Sequence, residues 1–109
     1  MPRDEVEAAY FTLLRAREEI SALRRWEEYL VDEQRRLRRF LSEGDALADT
    51  VDRRLRRALW HTDGPLKEAV DARIAVIGDE RSRMPERIEA AEHFVAECER
   101  DHATLRDGR

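Results

Sequence analysis

A chain of 109 residues with 41% apolar and 42% charged side chains holds one modest core, and none of its apolar runs approaches the roughly 20 residues that a bilayer crossing needs. Its 21 basic and 25 acidic groups leave a net charge of −4, too small for disorder driven by self-repulsion and of the wrong sign for a basic nucleic-acid binder. The single cysteine, Cys98, excludes an internal disulfide, and the charged start "MPRDEVEAAYF" lacks a signal-peptide core, so a cytoplasmic location is expected.

Ala, Glu, Leu and Arg dominate and β-branched residues are few, which points to an all-α chain. Residues 4–41 read as one long helix without Gly or Pro. Apolar side chains recur at Val6, Ala9, Leu13, Ala16, Ile20, Leu23, Leu30, Leu37 and Leu41, the alternating three–four spacing of a coiled-coil or bundle seam. Polar Glu27 and Gln34 occupy two places on that seam. At about 1.5 Å per residue this element reaches nearly 60 Å.

"SEGD" at 42–45 predicts a break, with Ser42 and Asp45 spaced as a capping box and Gly44 suited to a helix end. A second helix is expected at about 46–60, burying Leu47, Val51, Leu55, Ala58 and Leu59. "HTDGP" at 61–65 is the strongest punctuation, since Asp63 can cap and Pro65 fits a first helical turn. A third helix, about 65–77, ends at Gly78. Ser82 then starts a fourth, about 83–105, with a stripe at Ile88, Ala91, Val95, Cys98, His102 and Leu105. The expected fold is a single all-helical domain over 1–109. In it a long N-terminal helix and three shorter ones form an antiparallel bundle or coiled-coil hairpin, completed by dimerisation.

The five letters RRLRR occur twice, at 35–39 and 53–57. Advancing 100° per residue from Leu37 puts Phe40 and Leu41 within about 60° of it and the arginines between about 100° and 260°, on the face opposite the core. Residues 35–60 carry 8 basic and 4 acidic groups, and each flanking stretch is net negative. Antiparallel packing would therefore set acids beside these arginines, in surface pairs worth about 0–1 kcal/mol each. Arg35, Arg36, Arg38, Arg39, Arg53, Arg54, Arg56 and Arg57 would also be the phosphate contacts of a nucleic-acid-associated accessory protein. The negative net charge and the interposed Asp45, Asp49 and Asp52 make this the alternative reading.

No catalytic constellation stands out. Cys98 and His102 lie four apart, at metal-ligand or thiol–imidazole spacing, yet both fall on a core stripe. Glu89 with Glu92 forms an ExxE and Asp49 with Asp52 a DxxD, but neither is joined by the ExxD that all-α nucleotide pyrophosphohydrolases place on a neighbouring helix. Glu89 stands four residues before His93, where a di-iron ExxH needs three. No catalytic, cofactor or metal residues are expected, and no cofactor.

Two helical arms meeting at "WHTDGP" in a chain of this length resemble the small helical-hairpin proteins exported by type VII secretion. Those carry W-x-G at the turn, whereas three residues separate Trp60 from Gly64. No tyrosine follows Tyr29 to form their C-terminal YxxxD/E signal, so the resemblance implies no function here.

Expected helix lengths of about 60, 20, 20 and 35 Å leave helix 1 too long for its own chain to cover. Its first third carries Val6, Tyr10, Phe11, Leu13 and Leu14, with Ile20 just beyond, and "YFTLL" is apolar over more than one face. These six residues are the expected interface of a homodimer. The expected role is a non-enzymatic protein–protein interaction module whose partners are a second copy and another protein.

Overall fold

A computed structural model describes residues 2–108. The chain is all-helical, as its composition indicates, but it folds into two long helices in place of the four expected. Helix α1 spans Pro2–Ala48 and helix α2 spans Arg53–Arg106. No helix among the described residues is long and apolar enough to cross a membrane.

The predicted breaks at "SEGD", "HTDGP" and Gly78–Ser82 all lie inside helix. Among the described residues the sole positive-φ backbone is at Gly108, with φ 72°, so Gly44, Gly64 and Gly78 serve as ordinary helical residues. Pro65 and Pro85 sit in the interior of α2, where proline removes a hydrogen bond and crowds the preceding turn. Both are exposed, clear of the buried stripe. Gly64 also relieves Pro65, because the steric conflict of a helical residue with a following proline involves the Cβ that glycine lacks. Propensity at single residues is a weak prior, and here the apolar stripe running past these sites outweighs it.

The reversal falls instead at "DTVD", residues 49–52, which holds neither Gly nor Pro. Asp52 is its key residue. The Oδ1 atom accepts from the backbone N–H of Arg54 at 3.0 Å and of Leu55 at 2.9 Å, and the Asp52 carbonyl accepts from Arg56 N–H at 2.9 Å. This is an N-cap, satisfying amide groups that the first turn leaves without partners. On the other side Thr50 Oγ1 donates to the Leu47 carbonyl at 2.7 Å. Arg56 reaches back across the reversal, Nε donating to the Ala48 carbonyl at 3.1 Å and Nη2 to that of Val51 at 3.2 Å.

The chain divides into two compact units, Met1–Glu27 with Arg83–Arg109, and Glu28–Ser82. In the first, Leu13 and Ala16 of α1 and Cys98 of α2 form a buried cluster against which Val95 packs. Arg17 pairs with Glu99 at 3.4 Å and Arg24 with Glu92 at 3.1 Å. The arginines are seven residues apart and so are the glutamates, in opposite order, which fixes an antiparallel register. In the second unit Leu30, Gln34 and Ile77 are buried. Burial along α1 follows the three–four spacing, with Val6, Ala9, Ile20, Leu23, Glu27, Leu37 and Leu41 half-buried on the same stripe as the fully buried positions.

Two further expectations change with this fold. Helix 1 is not the one long helix among short ones, because α2 has 54 residues against 47 in α1. The burial expected of a separate second helix is also absent: Leu47 and Leu55 are exposed, as is Ala58, while Val51 and Leu59 are half-buried.

A Cβ at Gly44 would meet open space, and one at Gly78 would lie 3.6 Å from Gln34 Nε2, an ordinary contact. Gly44→Ala and Gly78→Ala are therefore expected to stabilise the protein by roughly 0.5–1 kcal/mol each in chemical denaturation. Destabilisation by both would mean that these glycines end helices. Asp52→Ala is expected to lower stability by about 1 kcal/mol through loss of the cap.

Candidate functional site

The most structured polar arrangement centres on Gln34. Its seam position turns the side chain away from solvent, and it is 4% exposed. Its Nε2 donates to the Ile74 carbonyl at 3.3 Å, and its Oε1 accepts from Arg81 Nη1 at 2.5 Å. Gly78 lies alongside, its missing side chain leaving space at the Gln34 amide. A buried amide satisfied on both ends is compatible with the interior; left unpaired it would cost about 1–3 kcal/mol. Arg35 and Arg38, which follow Gln34 on α1, line one groove with Val31, Gln34 and Arg81.

Arg81 was not among the sequence candidates. Ending a helix at Gly78 hid it, although carrying the stripe of Ile74 and Ile77 on to Met84 and Ile88 places residue 81 on the seam.

The two arginine runs fall on different helices, on either side of the reversal. Acids on the facing helix were expected to neutralise them. Arg35 pairs instead with Asp32 at 3.6 Å and Arg36 with Glu33 at 2.9 Å, both within α1, and Arg56 is engaged in the reversal. Arg38, Arg39, Arg53, Arg54 and Arg57 are exposed. The pairs joining the two helices of this unit use other cations, Arg73 with Glu33 at 3.9 Å and Lys67 with Asp45. The hydrogen bond to Asp45 holds the Lys67 ammonium above its ordinary pKa, outweighing the opposing effect of burial.

The six residues expected at a dimer interface separate into two sets. Leu13 is buried in the chain's own core, and Val6, Leu14 and Ile20 are half-buried. Tyr10 and Phe11 stay exposed, Phe11 to 65%, with the Tyr10 ring 5.5 Å from that of His102 and 6.0 Å from that of Phe11. In Glu28–Ser82, Phe40, Leu47, Leu55, Trp60 and Leu66 are also exposed, Trp60 to 71%. Trp60 and Gly64, on which the secretion-substrate resemblance rested, line a groove along α2 and not a turn between helices.

Members of the chemistry-bearing pairs make other contacts. Cys98 is buried against Leu13 and Ala16, while His102 lies against Tyr10. Asp52 caps a helix, Glu92 pairs with Arg24, and His93 Nε2 lies 3.1 Å from Glu97 Oε1. Among the described residues no three His, Cys, Asp or Glu side chains form a group that could hold a metal ion. No known protein family, curated protein or solved structure matches this chain.

Burial first, then the Asp101 and Glu97 carboxylates, push the Cys98 thiol above its ordinary pKa. Thiolate is the reactive form, so iodoacetamide should label the native protein at neutral pH about tenfold or more slowly than the unfolded chain. A raised thiol pKa also means that the unfolded chain ionises first as pH rises. Stability should therefore fall through the ordinary thiol range and change little from this group below it.

Proposed function

We propose that this protein is a non-enzymatic helical interaction module that works as a homodimer and presents its remaining surface to a protein partner. The observation that carries this reading is the amount of apolar surface outside the seam. Two paired helices bury one stripe each, and only six hydrophobic side chains among the described residues are buried. Eleven large hydrophobic side chains remain exposed, including two tryptophans, two tyrosines and three phenylalanines.

The total area points the same way. The chain exposes 8708 Å² where a folded monomer of 12.9 kDa exposes roughly 6300 Å². The excess of about 2400 Å² per chain, about 4800 Å² for two, falls in the range that obligate dimers remove, about 2,000–5,000 Å² over two chains. The proposed contact set keeps Tyr10 and Phe11 from the original six. It replaces Leu13 with the exposed residues of the second unit, Leu47, Leu55 and Trp60, because aromatic and aliphatic anchors dominate interface energetics.

Light scattering coupled to gel filtration is expected to return a dimer mass at micromolar concentration. The paired change Leu55→Ser with Trp60→Ser should shift the chain toward monomer while leaving its helical circular dichroism intact, since neither side chain is buried within the chain. A monomeric wild-type protein at these concentrations overturns the reading.

A further inference from the structure

We propose that the groove beside Gln34 is an oxyanion site, built to take a phosphoryl group and best suited to a pyrophosphate unit. Its lining is Val31, Gln34, Arg35, Arg38 and Arg81, three arginines and no acidic residue. Arg35 and Arg38 stand three residues apart on α1, the spacing at which helical side chains are neighbours, and Arg81 comes from α2. Guanidinium groups gathered in one groove repel each other unless an anion lies among them. Arginine suits this ligand because its planar fork of donors meets phosphate oxygens in pairs.

The internal neutralisation of the three is incomplete. The nearest acid to Arg35 is Asp32, at 3.6 Å, beyond the usual length of a charge-assisted hydrogen bond. Arg38 makes no ion pair or side-chain hydrogen bond among the described residues. Arg81 is oriented through Gln34, which is buried and itself anchored to the Ile74 carbonyl. That bond to the amide engages Nη1 and leaves further guanidinium donors. The site thus has one guanidinium fixed by a buried amide and two on the exposed face of the opposite helix. A pyrophosphate unit carries enough oxygens and charge to meet all three, whereas a single carboxylate would satisfy one.

This inference does not depend on dimerisation. Titration calorimetry of the full-length protein with inorganic pyrophosphate tests it, with inorganic phosphate and ADP as parallel probes. Saturable binding of one pyrophosphate per chain is expected, weakening as salt is raised. Arg38→Ala should reduce affinity about tenfold or more, and Arg38→Lys should recover only part of it, because lysine keeps the charge and loses the fork. Arg57→Ala, on the other helix and outside the groove, should leave affinity within about twofold. Since Arg38 is exposed, its variants should keep the helical circular dichroism of the parent. ADP binding as tightly as pyrophosphate would identify a phosphoryl group carried on a nucleoside, and weaker ADP binding would identify the free anion. Failure of all three probes to saturate at millimolar concentration would overturn the site. So would an equal loss from Arg57→Ala, which would reduce the effect to diffuse attraction by a charged surface.

Discussion

The alternating apolar spacing on α1 and its counterpart on α2 is the constraint from which the rest of the structure follows. A helix with a three–four repeat has one narrow stripe to bury, and within each unit an antiparallel segment with the same repeat buries it. That requirement keeps Gly44, Gly64, Gly78, Pro65 and Pro85 in helix, although each residue type favours a break. Breaking α2 at Pro65 or Gly78 would throw the following seam positions out of phase with α1. Local preferences of about 1 kcal/mol for glycine and 3 kcal/mol for proline compete with the burial of side chains such as Leu30, Ile77 and Met84, each worth about 1.5–3 kcal/mol.

The same economy of contact makes the surface apolar. A four-helix bundle offers each helix two neighbours, while a pair offers one, so side chains off the seam find less of their own chain to lie against. Phe11, Leu47, Leu55 and Trp60 are left in this position. The exposed aromatics are thus a consequence of the seam's narrowness, and the proposed self-association is a response to it.

Charge is arranged around the stripe in a comparable way. In Met1–Glu27 with Arg83–Arg109, the Arg17–Glu99 and Arg24–Glu92 pairs flank the seam and mark its register, though at half-exposed sites each contributes little stability. In Glu28–Ser82 the register marker centres on one buried residue, Gln34, which pairs with the exposed Arg81, and misalignment would leave the amide without partners. Arginines crowded near that pairing form the groove assigned to a phosphoryl ligand.

The amino-acid order alone determined the helical class, the positions of the α1 stripe down to its polar members Glu27 and Gln34, and the membership of Cys98 in a core, because these depend on composition and on a periodicity internal to one helix. Tertiary structure decided where the chain reverses. "DTVD" carries no glycine or proline, and its cap at Asp52 acquires meaning only once the flanking segments are known to pair. It also decided that Leu13 serves the chain's own core, that Leu47 and Leu55 face outward, and that Arg81 meets Gln34. Each of these depends on which residues face each other across two helices, a relation between distant segments that the periodicity of either one does not contain.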